Sequence, residues 1–258
     1  MKKVVFFFYV SLILLGNTNI TSAQCCGADF LVSMMVQSGV NIGYGVQRYD
    51  PSGLNNYIYL YNQKYISRLT TQMGEFGTAT GFKFGANLVQ FQLDEFLISI
   101  KGSYQQMREK NSAVRDLSLG GRAEEEFDLT LNSMGLGIST SLRVSRRIEI
   151  KFLDAMITWN SAKLVDNYSD PFVTTEQKLE SPNSKIGLSL GGGLTFYLVP
   201  PYISFEALGG YSFFALSEMQ FDTGELLAQF ENGPAIKNFV SSGGVFAFIQ
   251  LNLAIPLK

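Results

Sequence analysis

Residues 245–257 read V-F-A-F-I-Q-L-N-L-A-I-P-L, with Val245, Ala247, Ile249, Leu251, Leu253, Ile255 and Leu257 at every second position and Gln250, Asn252 and Ala254 between them. Alternation at period two is the mark of a β-strand with one apolar face. The same period recurs at 36–46, 80–90, 96–106, 129–144, 148–160, 186–198 and 202–213, which makes eight expected strands. In each of them large apolar residues hold one face. The opposite face is mostly Gly, Ser, Thr and Asn. An apolar outside around a small, polar inside is the pattern of a closed barrel in a membrane.

The connections repeat a second pattern. Leu93-Asp94-Glu95, Ser145-Arg146-Arg147 and Val199-Pro200-Pro201 are tight turns, whereas 47–79, 107–128, 161–185 and 214–244 are long and polar. Short turns therefore alternate with long loops, as in outer-membrane barrels with short periplasmic turns. An even strand number then places both termini on the periplasmic side. The last strand is expected to close the barrel by pairing with 36–46. In the fifth strand the apolar set slips from Ile148, Ile150 and Phe152 to Ala155, Ile157 and Trp159, so a β-bulge is expected near Leu153-Asp154. Within the first long loop, Tyr57, Tyr61 and Tyr65 recur every four residues beside Leu54, Ile58 and Leu69. That spacing predicts a short helix, capped by Ser52 or Asn55, over the barrel mouth or at the lipid surface.

The chain starts Met1-Lys2-Lys3, runs apolar from Val4 to Leu15 and reaches Thr21-Ser22-Ala23. A charged start, a short apolar stretch and small residues before a cut predict a secretory signal peptide over 1–23 and a single barrel domain over 24–258. A retained anchor is the alternative. Loss of Lys2 and Lys3 changes the net charge from −2 to −4, too mild for a polyanion-binding protein, so no nucleic-acid partner is expected. Cys25 and Cys26 follow the junction directly. They read as a loose, oxidisable tail, with lipidation as the alternative; two neighbouring Cys build no disulfide framework.

A soluble exported barrel is the structural rival. It would point large apolar side chains inward and carry many charges outside. Aromatics gather instead near the strand ends, with Tyr44, Tyr104 and Trp159 towards the loops and Phe96, Tyr197 and Tyr202 towards the turns, like two interfacial girdles. With its export junction Thr21-Ser22-Ala23-Gln24, its eight alternating strands and its loop asymmetry, the chain resembles the small outer-membrane β-barrel proteins of the OmpA/OmpX type, particularly those of Bacteroidota. The resemblance implies an all-β, up-and-down, eight-stranded transmembrane barrel; a ten-stranded one is the alternative count. Leu257-Lys258 departs from it by standing where a terminal aromatic is common.

No catalytic constellation stands out. The chain has no His, which the barrel enzymes and proteases of this size use as a base, so no enzyme, cofactor or metal site is expected. Gly191-Gly192-Gly193 continues into a strand rather than a helix N-terminus, so it reads as close packing or a kink and not a phosphate loop. By parity Lys83, Lys101, Arg143, Glu149, Lys151 and Glu206 point inward. They are expected to form a lumen network of Glu149 and Glu206 with the bases; a cationic constriction for small anions is the functional alternative. Glu124, Glu125, Glu126 and Asp128 make an acidic patch at the base of the second long loop, read as a solvated charge run, with divalent-cation binding as the alternative. The expected function is a structural or interaction role in the outer membrane, with its lipid and a protein of a larger envelope assembly as partners. A narrow transporter and a soluble ligand-binding barrel are the alternatives.

Overall fold

The computed structural model describes residues 35–118, 120–228 and 233–256. The expected signal segment, Cys25, Cys26 and Leu257-Lys258 lie outside the described residues. The elements are β1 (Met35–Asp50), α1 (Ser52–Tyr65), β2 (Leu69–Thr71), β3 (Thr78–Leu93), β4 (Phe96–Asp116), β5 (Arg122–Arg143), β6 (Ile148–Ser169), β7 (Thr174–Glu180), β8 (Lys185–Val199), β9 (Ile203–Phe213), β10 (Gln220–Phe221) and β11 (Ser242–Pro256). Eight of the strands close a barrel in the order β1-β3-β4-β5-β6-β8-β9-β11. Antiparallel pairing of β11 with β1 shuts it, with Asn252 opposite Asn41 and Ile249 opposite Tyr44. Three short strands hang on it: β2 on β4, β7 on β6, and β10 on β7.

The bulge falls in β6. Thr140 faces Leu153 while Ser141 faces Lys151, so Phe152 is the extra residue. Its effect is to shift every later side chain of β6 by one position, which turns Asp154 inward. Gly191-Gly192-Gly193 lies within β8 as expected. A Cβ at Gly191 would sit 2.7 Å from the carbonyl oxygen of Gly209 on β9, so this stretch is small because two backbones approach closely.

Three strands are much longer than the alternating apolar pattern. β4 has 21 residues, and β5 and β6 have 22 each, against about 9–11 for a tilted membrane crossing. The regions 107–128 and 161–185 are therefore corrected from polar loops to strand extensions plus the β6–β7 hairpin. The reason they look like loops is a phase inversion. On β5, Met134, Leu136 and Ile138 are exposed on the outside, while Phe127, Leu129 and Leu131 are buried on the inside. The ladder between β4 and β5 runs through this point without a register shift. Backbone and pleat continue, but the apolar residues change faces. Along the row Phe84, Tyr104, Met134, Trp159 and Ile186 the outside is apolar; beside Phe82 in the next row it is Gln106, Asn132 and Ser161.

The inverted part has its own core. α1 enters the mouth with Leu54, Ile58 and Tyr61 buried. Around them lie Met73, Phe76, Met107, Phe127, Leu129, Leu164, Leu216, Met219, Ile236 and Phe239. The helix therefore folds over the mouth and not along the lipid surface. The expected cap is corrected: Pro51 is the N-cap, with no side-chain hydrogen bond to the first turn. Ser52 meets Ser241 instead, and Asn55 bonds the backbone of Phe76 in both directions, at 2.9 and 2.8 Å. Two turns on, Asn62 does the same to Met73, at 2.9 and 3.1 Å. Gly53 brings the helix start against the last long connection: a Cβ there would stand 2.7 Å from the carbonyl oxygen of Asn238. Gly53→Val is expected to unseat the start of α1, seen as faster amide exchange in 52–58 and new protease cuts there.

Candidate functional site

Two layers fill the barrel. The lower one is polar. Lys83 on β3, Lys101 on β4, Glu149, Lys151 and Asp154 on β6, and Glu206 on β9 are all buried. Lys101 pairs with Asp154, and Lys151 pairs with Glu206 and lies 3.9 Å from Asp154. Asn252 donates to the second oxygen of Glu206 at 3.2 Å. A chain Lys101–Asp154–Lys151–Glu206–Asn252 thus crosses the lumen. It satisfies the rule that charges removed from water must be paired and hydrogen-bonded.

Two expectations about this layer change. Glu149 does not meet a base; its oxygens accept from the Ser141 and Tyr197 hydroxyls. Tyr197 is accordingly a buried lumen residue and not part of an outer girdle, whereas Tyr44, Tyr104, Trp159, Phe96 and Tyr202 do stand exposed on the wall. Arg143, half-buried near the turn end, lies with its guanidinium 5.8 Å from the Tyr197 ring centre. Asp154, which bridges the two lysines, was absent from the parity count because the bulge moves it inward. The visible signal was the slip itself, carried one residue further.

Lys83 is the odd cation. Its ammonium sits 5.3 Å from the Phe248 ring centre and 6.0 Å from that of Phe246. These rings are the floor of the apolar layer above. A cation over aromatic faces is partly compensated by their quadrupoles. Towards the turn end, a cavity of about 30 Å³ lies among Ser99, Ser139, Glu149, Lys151, Tyr197 and Glu206. At roughly 10–15 Å³ each, that is space for two or three waters.

The upper layer is the apolar plug described above, and the expected acidic patch lies around its wall. It is not one patch. Glu124 and Glu126 point outward and Glu125 points inward, as successive residues of a strand must. Lys110 donates to Glu126 at 2.7 Å, and Arg108 Nε donates to Asp128 at 2.6 Å. Burial acts to raise the Asp128 carboxyl, but Arg108 and Lys110 hold it below the usual carboxylate range. Glu125 accepts from the Tyr61 hydroxyl of α1 at 2.7 Å. The patch is thus corrected from a solvated loop run to strand residues with partners, divided between two faces. That division leaves no shared carboxylate cage for a cation among them.

One titratable group here was missed in the sequence. Asp166, inward on β6 and seven residues beyond Trp159, has its Oδ1 buried without a hydrogen-bond partner. Burial, and then the neighbouring Glu125 carboxylate, push its carboxyl up to about 7. The alternating apolar pattern of this strand stops at 160, whereas β6 runs on to Ser169 and carries Asp166 on its inner face.

No family model matches the chain, and no curated protein matches it. Among solved structures it is similar to Ail, the attachment invasion locus protein of Yersinia pestis, determined with the heparin analogue sucrose octasulfate: 12% identity, TM-score 0.38, covering 86% of this chain and 100% of that one. It is also similar to Neisserial surface protein A, at 11% identity and TM-score 0.39, covering 86% of this chain and 96% of that one. Neither organism bears out the Bacteroidota part of the resemblance.

Proposed function

We propose that this chain is a non-enzymatic integral barrel of the Gram-negative outer membrane, exported by a signal peptide over 1–23, with both termini periplasmic. Its task is a structural or interaction role, exercised through the rigid loop end that stands above the lipid or as part of a larger envelope assembly. The observation that carries this is the switch of the apolar residues from the outer to the inner face along a continuous pleat. Below it, Val40, Ile42, Phe84, Leu136, Ile138, Ile157, Leu188 and Ile249 face outward and exposed, and a continuous exposed apolar belt on a closed barrel needs lipid against it. Above it, the outside is polar and the inside is an ordinary apolar core, as for a protein in water. A soluble ligand-binding barrel would carry its apolar core at the level where this lumen holds Lys101, Asp154, Lys151 and Glu206.

A transporter needs a path. The described residues fill the lumen with an ion-pair chain and cap it with α1 and with Leu216, Met219, Ile236 and Phe239 of the last long connection, which favours a closed barrel. The expected results are partition into the detergent phase, faster migration of unboiled than boiled protein on a denaturing gel, and no conductance above background in planar bilayers. Partition into water would overturn the membrane proposal. Conductance that falls when Lys101 or Lys151 is replaced would favour the transporter instead.

A further inference from the structure

One of the polar contacts that hold α1 in the mouth reaches β5 of the wall, and that contact sits beside an unsatisfied acid. The Tyr61 hydroxyl donates to Glu125 Oε2 at 2.7 Å. Tyr61 and Tyr57 also pack on Phe127, with ring centres 6.5 and 6.0 Å away. Phe127 lies between Glu125 and Asp128 on β5, directly opposite Asp166 on β6. Asp166 and Glu125 are therefore diagonal neighbours on the inner wall, under the same face of the helix. Asp166 has no donor for its buried Oδ1. We propose that the Glu125–Asp166 pair is an acid-locked latch: with Asp166 protonated α1 seats over the pair, and with Asp166 ionised two adjacent carboxylates under the helix loosen it.

The groups that face Asp166 make this a one-proton device. From β5 comes Glu125. From α1 come the phenols of Tyr57 and Tyr61, pushed up by burial, and of Tyr65, where burial is outweighed by Arg115 and Lys64, which lower it. From β6 comes Tyr168, and from β4 comes Arg115, whose guanidinium is turned to the rings of Tyr65 and Tyr168, at 4.3 and 5.2 Å. On β7 the residue opposite Asp166 is Gln177, which does not titrate. The chain contains no histidine, so near-neutral switching falls to a carboxyl. The sign follows from linkage. Seated, Asp166 holds its proton up to about 7; released to water it holds it only to about 3.9. The seated state binds more protons across that window, so raising the pH through it favours release, and above it the dependence ends.

The test uses the full chain in detergent micelles or lipid nanodiscs. Amide exchange of 54–65, corrected for intrinsic rates, reports the opening of α1. The opening constant is expected to rise about tenfold per pH unit between roughly pH 4.5 and 6.5, and to level off above pH 7. Asp166→Asn is expected to abolish the slope and keep the helix seated at all pH values. Glu125→Gln keeps the acceptor for Tyr61 but removes the like charge, so the plateau is expected at lower pH. Should Asp166→Asn fail to fold, Glu125→Gln and a carbon-13 titration of the Asp166 carboxyl in the native protein decide the matter. A flat profile in the native protein, or an unchanged slope in Asp166→Asn, overturns the latch.

Discussion

Replacing Asp154 with Leu is expected to destabilise the barrel by about 3–5 kcal/mol, the range for removing one partner of a buried ion pair. Asp154 is the junction of the lumen chain. Without it Lys101 loses its partner and Lys151 keeps only Glu206. The neighbours left behind carry no negative charge: the residue opposite it on β5 is Ser139, and the nearest inward residues along β6 are Lys151 and Met156. The measurement is a urea titration in detergent, with the folded fraction read from the gel-mobility difference. The double variant Asp154→Leu with Lys101→Met removes both charges and is expected to recover most of the loss, because an apolar pair of similar volume often matches a buried ion pair. An Asp154→Leu protein as stable as the native one would show that the chain of charges does not hold the lumen together.

The second large effect is expected in the plug. Phe239 and Ile58 are fully buried in the apolar layer. Phe239→Ala is expected to cost about 3–5 kcal/mol and Ile58→Ala about 2–5 kcal/mol, the range for emptying a packed core site. The loss should appear locally. Plug and barrel wall meet through α1 and through Leu216, Met219, Ile236 and Phe239, whereas the membrane-level wall is held by strand ladders that these residues do not touch. Limited proteolysis of the folded protein should therefore gain cuts within 214–240 and around α1, while the urea midpoint of the barrel moves little. A parallel fall in both would mean that plug and barrel unfold as one unit.

Much of the wall was legible because period two is a local property. A residue's face in a strand depends only on its place in the pleat, so Val245–Leu257 could be read without knowing its neighbours. The bulge near Leu153 was legible for the same reason: a slip in phase needs one extra residue. The upper half was not legible in this way. Phe127, Leu129 and Leu131 form a clean alternation, but in the opposite phase to Met134, Leu136 and Ile138, and an inverted phase looks like the end of a strand. Lumen charges were found by parity at Lys83, Lys101, Lys151 and Glu206. Their pairing was not, since it depends on which inward residues from four different strands reach the same level.

From its amino-acid order alone, this chain determined eight strands, their faces, the place of the bulge, the tight turns and the helix in the first connection. All of these follow from the short-range geometry of backbone and side chain. Only the tertiary structure decided what each inward face is for. It placed Asp154 between Lys101 and Lys151, turned Tyr197 to Glu149, and filled the mouth with α1 and residues from the last long connection. The physical reason is that an interior has no polarity of its own. Segments far apart in sequence supply the partners that make one level of the lumen a place for charges and the next a place for Phe and Leu.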